Sequence, residues 1–252
     1  LVDTIGLRRL KIPSGDITNA PFVLEHARTG LDIVLSTGMA NLGEIELILG
    51  VVAFGYLADK KEKPGLQAFR EAYGSAEAHK VLEKKVTLLH CTSEYPAPVD
   101  EINLRAIGSM GSAFRLSVGL SDHSEGINIP IAAVGMGAKV IEKHFTIDRS
   151  MEGPDHKASL EPSDLKAMVH AIRGVECAMG DGRKMPLSSE IKNMSVSRKS
   201  LVAAKSIGTG EVFSQSNLIS KRPGDGMSPV LYWSLLGRKS ARAYMAGEAI
   251  SE

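Results

Sequence analysis

Residues 116–142 read LSVGLSDHSEGINIPIAAVGMGAKVIE. A short apolar run, Leu116–Leu120, ends in the polar residues Ser121-Asp-His-Ser124. A helix-like stretch, Ile129–Gly135, follows, and a second apolar run, Lys139–Glu142, completes the segment. Two short strands joined through a helix by short connections are typical of a βαβ unit, in which the strands pair in parallel.

The same alternation runs through the preceding part of the chain and continues beyond this unit. The predicted strands are Leu10–Pro13, Ile33–Ser36, Val86–Cys91, Leu116–Leu120 and Lys139–Glu142. The predicted helices are Ala20–Thr29, Leu42–Ala53, Val99–Met110, Ile129–Gly135 and Pro162–Met179, with N-caps at Asn41 and Ser163 and ends at Gly30 and Gly180. This order favours an α/β fold with a parallel sheet or an incomplete (β/α) barrel.

Two segments depart from the alternation. Residues 58–84 hold a charged loop and a predicted helix, Leu66–Tyr73, which we interpret as an insertion on the outside of the domain. From Ser200 onward, short apolar pairs alternate with glycine turns. We therefore expect a partial barrel over residues 1–184, a linker over 185–197 and a small β-rich domain over 198–252.

Composition excludes several classes of function. Hydrophobic residues make up 43% of the 252 residues, as in an ordinary globular protein. The net charge of +1 gives no electrostatic argument for binding nucleic acid or an anionic membrane. No apolar run reaches the ~20 residues that a membrane crossing requires. The distant Cys91 and Cys177 form no disulfide or metal pattern, which favours a reducing, cytoplasmic location.

The predicted strands end in residues that can carry chemistry. His123 and His144 follow consecutive strands, so their rings can approach one opening. Two imidazoles suit a divalent metal that polarises a substrate oxygen. The alternative is that each histidine only forms a hydrogen bond at its strand end, and spacing alone leaves both interpretations open. We interpret His90, inside a strand, as structural.

A second group of polar residues suits an anion. Lys11 and several hydroxyls at strand ends can hold a phosphate or a carboxylate; the hydroxyls belong to Ser14, Ser36, Thr37, Ser93 and Ser121. The alternative is that these are ordinary turn residues. Asp155 and Arg222 lie in Gly/Pro-containing loops, where Asp155 can accept hydrogen bonds from a polyol and Arg222 can reach a partner site, but the residues alone favour a turn role for both.

Taken together, the segments resemble a known family, the sialic acid synthases. The matching strings are Lys11-Ile-Pro-Ser-Gly-Asp16, Leu35-Ser-Thr-Gly-Met39, Leu89-His-Cys-Thr-Ser-Glu-Tyr-Pro96, Gly119-Leu-Ser-Asp-His123, Glu142-Lys-His-Phe145 and Gly153-Pro-Asp155. The strings Arg198-Lys-Ser-Leu201 and Lys221-Arg-Pro-Gly-Asp-Gly226 resemble that family's antifreeze-like (SAF) domain.

The resemblance implies a (β/α)8 TIM barrel, of which this chain supplies strands four to eight, followed by the SAF domain. It implies condensation of phosphoenolpyruvate with an N-acetylated amino sugar, either N-acetylmannosamine or a 6-deoxy diacetamido relative. The products are phosphate and a nine-carbon 2-keto sugar acid of the sialic acid type. A divalent metal (Mn²⁺, Mg²⁺ or Co²⁺) held by His123 and His144 is expected to polarise the sugar aldehyde.

The resemblance also implies roles for individual residues. The positions that match phosphoenolpyruvate contacts are Lys11, Ser14, Ser36, Tyr95 and Ser121, with Ser93 at a place where some members carry asparagine. Asp16 matches a catalytic position, often glutamate, that orders the water or the sugar. Asp155 matches a contact to the sugar hydroxyls. Arg222 matches an arginine that reaches the N-acetyl group in the other subunit of a domain-swapped homodimer.

The chain departs from the family pattern at its start, where strands one to three and their phosphoenolpyruvate contacts are not found. We therefore expect residues 1–252 to be poorly active alone. The product could be N-acetylneuraminate or a relative such as legionaminate. Two alternatives remain: a metal-dependent aldolase that uses pyruvate, and a non-catalytic carbohydrate-binding relative.

Overall fold

The computed structural model describes residues 6–251. In this range the first part of the chain forms a five-stranded parallel sheet with its strands in sequence order. The strands are β1 (Arg9–Ile12), β2 (Asp32–Ser36), β3 (Val86–Cys91), β4 (Ser117–Asp122) and β5 (Ile141–Lys143). The predicted parallel α/β architecture is confirmed.

An ion pair shows how strongly this sheet curls. Lys11 of β1 and Glu142 of β5 lie on the two outermost strands, yet the lysine Nζ is 3.4 Å from the glutamate Oε1. In a flat sheet, four strand spacings would separate β1 from β5 by about 19 Å. The sheet is therefore a half-barrel whose first and last strands approach each other across its concave face.

Helices cover the convex face of the half-barrel. They are α1 (Ala20–Ala27), α2 (Leu42–Leu57), α3 (Leu66–Tyr73), α4 (Ala76–Lys85), α5 (Arg105–Phe114), α6 (Asn128–Gly135) and α7 (Pro162–Met179). Helix α2 is apolar nearly all round and buries a continuous run from Ile48 to Phe54. It begins at Asn41, whose side chain and that of Glu44 form a reciprocal capping box, as the sequence predicted for Asn41.

The core lies between the sheet and these helices. Ile12, Leu35, Leu88 and Leu120, one from each of the first four strands, are at most 1% exposed. Burial of such side chains stabilises the fold by roughly 1.5–3 kcal/mol each. The core thus forms a rigid scaffold that fixes the positions of the strand ends.

The helix predicted over Val99–Met110 is wrong in its bounds. The chain forms a 3-10 turn at Val99–Glu101, and α5 begins only at Arg105. Asn103 lies between them with a φ of 50°, a left-handed conformation that a continuous α-helix does not contain. The apolar period carries no information about this single dihedral angle.

Other differences are smaller. Helix α7 begins at Pro162 with Glu161 as its N-cap, so the prediction of Ser163 as the cap is wrong. Proline at the first helical position loses no hydrogen bond, which favours this start. Strand β5 begins at Ile141 instead of at Lys139, because only three residues pair with β4. The insertion contains the predicted α3, with the bounds predicted for it, and in addition α4.

The chain divides into two compact units after Asp181. The second unit contains α8 (Ser188–Ser197), strands β6 (Ser200–Ala203) and β7 (Leu218–Lys221), and a short helix, α9 (Tyr232–Leu235). Strands β6 and β7 pair antiparallel, and further bridges join Ile207 to Tyr244 and Val212 to Lys239. Helix α8 falls where the sequence showed no periodicity, and none of its residues is buried.

Between residues 6 and 251, no helix has both the length and the apolar character needed to cross a membrane.

Gly119 in β4 gives a test of the packing of the half-barrel. A Cβ at this position would collide with the Val140 carbonyl oxygen and lie 2.6 Å from a methyl of Leu89. We expect Gly119→Ala to lower the free energy of unfolding by about 1–3 kcal/mol, measured by urea denaturation. Gly108→Ala is the control, because its Cβ would meet open space in the middle of α5 and should stabilise by ~0.5–1 kcal/mol. Equal effects of the two substitutions would contradict the packing described.

Tyr56 gives a test at alkaline pH. Its hydroxyl donates to the Leu31 carbonyl oxygen at 2.6 Å, and burial, helped by the negative charge of Asp32, raises its pKa above the ordinary value of 10. A folded-state pKa above the unfolded one gives stability that is complete below pH 10 and is lost as the pH rises further. We expect the free energy of unfolding to fall as the pH rises from 10 to 12, and to fall less steeply in Tyr56→Phe. Tyr232→Phe, in the second unit, is the matched control and should keep the slope of the unchanged chain.

Candidate active site

The carboxyl ends of the parallel strands bring polar side chains to one edge of the half-barrel. Strand register places Ser121 opposite Cys91 on one side and opposite Glu142 on the other. Register partners share a face of the sheet, and so do side chains two residues apart on a strand, so Cys91, Ser121 and Glu142 lie on the same side. This edge is where enzymes with such a sheet carry their reacting groups.

The structure brings the two predicted imidazoles together. His123 follows β4 and His144 follows β5, and their ring centroids are 5.4 Å apart with the planes nearly perpendicular. The His123 Nδ1–H donates to the Thr92 carbonyl oxygen at 2.8 Å, which leaves the Nε2 of the neutral ring with its lone pair. The Nδ1 of His144 lies 3.7 Å from Oδ2 of Asp155. The His123 ring is therefore held by a hydrogen bond, whereas the His144 ring only lies near a carboxylate oxygen.

Tyr95 lies against both histidines. Its ring centroid is 4.1 Å from that of His123 and 5.5 Å from that of His144. Together with Asp155 and Lys157 these side chains line a cavity of about 180 Å³. A larger cavity of about 270 Å³ lies among Phe69 and its neighbours on α2 and α3, and it contains no strand-end residue.

The charges around this aromatic group shift several pKa values. Burial by itself lowers the pKa of His123, but hydrogen bonds to Cys91 and to the Thr92 carbonyl outweigh it and raise the pKa. Burial by itself raises the pKa of the Cys91 thiol, but contacts with His123, Ser14 and Ser121 outweigh it and lower the pKa. The Cys91 Sγ is 3.9 Å from the His123 Nδ1. The thiol therefore belongs to the electrostatic environment of the imidazole pair.

A second group of side chains forms around Glu142. Its Oε1 accepts a hydrogen bond from the Ser121 hydroxyl at 2.6 Å and pairs with the Lys11 Nζ at 3.4 Å. The ammonium and hydroxyl groups predicted for an anion thus meet at a carboxylate that the sequence prediction did not include. Glu142 precedes His144 by two residues, so strand alternation could have placed it on the same face.

Two further predicted residues, Ser14 and Ser93, lie close together beside Gly38. Its backbone N–H donates to the Ser14 hydroxyl at 3.0 Å. A Cβ on Gly38 would lie 2.7 Å from Ser14 Oγ and would collide with Ser93 Oγ. The two serines therefore face each other across a position that only glycine can occupy without displacement. Ser36, two residues earlier, is 1% exposed, and within the described range its hydroxyl has no hydrogen-bond partner.

Three predicted residues have other surroundings. Asp16 lies in a 3-10 turn, Ser14–Asp16, and accepts a hydrogen bond from Asn19. Arg222 belongs to the second unit, where its Nε donates to the Ser197 carbonyl oxygen at 2.9 Å. His90, interpreted as structural, places its Nε2 2.6 Å from the Ile102 carbonyl oxygen.

Comparisons with known proteins identify the family of this chain. The model of the NeuB family matches residues 1–184. The chain is 48% identical over its whole length to the N,N'-diacetyllegionaminic acid synthase of Campylobacter jejuni, of which it spans 68%. It is 38% identical over 98% of its length to the synthase of the same name from Legionella pneumophila, of which it spans 63%.

A solved structure shows the same relationship. The N-acetylneuraminic acid (sialic acid) synthetase of Leptospira borgpetersenii, crystallised with citrate, is 34% identical with a TM-score of 0.60. The match covers 76% of this chain and 57% of that one. The resemblance to the sialic acid synthases is thereby confirmed, and the chain belongs to the NeuB family.

Proposed function

We propose that this protein condenses phosphoenolpyruvate with an N-acetylated amino sugar to give a nine-carbon 2-keto sugar acid and phosphate. The observation that carries the proposal is the pairing of His123 with His144 at the same sheet edge as Lys11 and Ser121. The names of the curated relatives, synthases of nine-carbon sugar acids, support the same reaction.

The reaction requires two charges to be stabilised. The methylene carbon of phosphoenolpyruvate forms a bond with the aldehyde carbon, and the aldehyde oxygen gains negative charge and then a proton. This leaves positive charge on the carbon that carries the phosphate; a water molecule adds to that carbon and loses a proton, and the carbon–oxygen bond then breaks to release phosphate as the keto group forms. The site must therefore hold a phosphate-bearing anion on one side and a polarised aldehyde on the other.

The imidazole pair fits a divalent cation. His123 retains its Nε2 lone pair while Nδ1 is held by Thr92, the orientation that a metal-ligating histidine requires. Among the described residues no third His, Cys, Asp or Glu completes a metal-binding group, so water and substrate oxygens would fill the other positions. Bound there, Mn²⁺, Mg²⁺ or Co²⁺ would supply Lewis-acid polarisation of the aldehyde.

The phosphoenolpyruvate anion is assigned to the residues around Lys11. Lys11 supplies a positive charge, and Ser121, Ser14 and Ser93 supply hydroxyl donors near it. A buried hydroxyl without a hydrogen-bond partner among the described residues, such as that of Ser36, destabilises the fold. An oxygen of a bound anion would accept a hydrogen bond from it.

The sugar is assigned to the cavity beside the imidazoles. Asp155 offers there a carboxylate that accepts hydrogen bonds from hydroxyl groups, and Tyr95, at a position that matches a phosphoenolpyruvate contact, lies against both imidazoles. Asp16 is proposed to order the reacting water or the sugar. Since two relatives are named for N,N'-diacetyllegionaminic acid, the 6-deoxy diacetamido sugar is favoured over N-acetylmannosamine.

The proposals for the second unit and for the oligomeric state rest on the family resemblance. Residues 198–252 are proposed to form the SAF domain after a linker over 185–197, and residues 1–184 to supply barrel strands four to eight. Arg222 is proposed to reach the N-acetyl group in the partner's barrel of a domain-swapped homodimer. The cysteines, Cys91 and Cys177, are both free, which supports a cytoplasmic location.

Removal of an imidazole tests the function. In the natural full-length gene product, we expect His123→Ala to lower phosphate release from phosphoenolpyruvate and the amino sugar by about 100-fold or more, because charge on the aldehyde oxygen loses its stabilisation. Mass analysis of the product identifies the sugar acid. His170→Ala, on the exposed face of α7, is the matched control and should keep full activity.

The alternatives give different results in the same assay. An aldolase would accept pyruvate and would release no phosphate. A carbohydrate-binding relative would bind the sugar equally well before and after His123→Ala and would form no product. Either pattern would overturn the proposed condensation.

A further inference from the structure

A buried ion pair lies directly behind the imidazole pair. Asp122 is the last residue of β4 and Lys143 the last of β5, and the two are register partners. The Lys143 Nζ donates to Oδ2 of Asp122 at 2.6 Å, and the two side chains are only 4% and 1% exposed. Each of these residues immediately precedes one of the histidines.

The pair is part of a closed hydrogen-bond network. The Lys143 ammonium also donates to the Ser124 carbonyl oxygen. Oδ1 of Asp122 accepts from both the backbone N–H and the hydroxyl of Ser124, at 3.0 and 2.7 Å. Ser124 itself is fully buried. Asp122 and Ser124, on either side of His123, are therefore both hydrogen-bonded to Lys143, the residue before His144.

Stability does not account for this arrangement. Two charges taken out of water lose several kcal/mol of hydration each, and apolar residues of similar volume often replace such a pair without loss of stability. An ion pair of fixed geometry, in contrast, specifies the relative position of the two elements that carry it. Here those elements are the strand ends from which the two imidazoles project.

We propose that the Asp122–Lys143 pair is a positioning device that sets the separation and orientation of His123 and His144 for one shared divalent cation. This inference rests on the metal site of the proposed function. Ser121 and Glu142, one residue earlier on each strand, contact each other on the face that also carries Lys11. Because side chains alternate along a strand, the ion pair holds the strand ends together from the opposite face, where both side chains are closed to solvent, although Asp122 also borders the cavity beside the imidazoles.

The test separates positioning from folding by removing the charges singly and together. Lys143→Met or Asp122→Asn alone leaves an uncompensated buried group and should lower the free energy of unfolding. The double variant Asp122→Asn/Lys143→Met has no buried charge and should recover most of that stability. The affinity of the double variant for Mn²⁺, measured by calorimetry on the 252-residue chain, should still be about 10- to 100-fold weaker than that of the unchanged chain. This is the usual loss when a group that orients a metal ligand is removed.

Two controls complete the experiment. Arg173→Met/Glu176→Gln removes an exposed ion pair on α7 and should leave the Mn²⁺ affinity unchanged. Histidine side-chain ¹⁵N spectra of the metal-free chain report the surroundings of the rings without any cation. We expect the resonances of His123 and His144 to shift in the double variant and to stay in place in the α7 control.

The outcomes distinguish this proposal from the function on which it rests. A stable double variant with unchanged Mn²⁺ affinity and unchanged histidine spectra would overturn the positioning role. If His123→Ala bound Mn²⁺ as tightly as the unchanged chain, the metal assignment would be overturned, and the shared cation with it. The metal-free spectra would still decide whether the ion pair positions the two rings.

Discussion

In-register parallel pairing of β3, β4 and β5 is the constraint on which the candidate site depends. It aligns Cys91, Ser121 and Glu142 in one row across three strands. A shift of one residue in either pairing would turn every side chain of the shifted strand to the opposite face. The buried strand residues prevent such a shift, because it would exchange apolar side chains of the core for polar ones. The chemistry at the strand ends is thus fixed by packing several residues away.

Curvature adds the second requirement. The Lys11–Glu142 contact joins the outermost strands, so the Lys11 ammonium and the imidazole pair can face one space only because the sheet curls. Gly119 contributes to this geometry, since its missing side chain lets Val140 and Leu89 approach the backbone of β4. The curled sheet therefore brings together side chains that lie more than a hundred residues apart in the chain.

The sequence predicted the parts of this site that depend on local order and missed those that depend on long-range contacts. The alternation of strands and helices, and the polar ends of the strands, were sufficient to predict that His123 and His144 lie together. The capping residue Asn41 was also predictable, because its partner is three residues away. The contact between Glu142 and Lys11 was not predictable, because it exists only once the first and fifth strands have met. The left-handed Asn103 was missed for a different reason: the apolar pattern is insensitive to one backbone dihedral.

The ion pair at the sheet edge is weak enough for the Lys11 ammonium to bind a second partner. The side chains of Lys11 and Glu142 are 34% and 40% exposed, and an ion pair so open to water contributes at most about 1 kcal/mol. A phosphate group carries more charge than a carboxylate and offers more acceptor oxygens, so it competes effectively for the same ammonium. The Asp122–Lys143 pair, in contrast, is closed to solvent and saturated with internal hydrogen bonds. Burial thus distinguishes the two lysines: the exposed Lys11 can exchange its partner, and the buried Lys143 cannot.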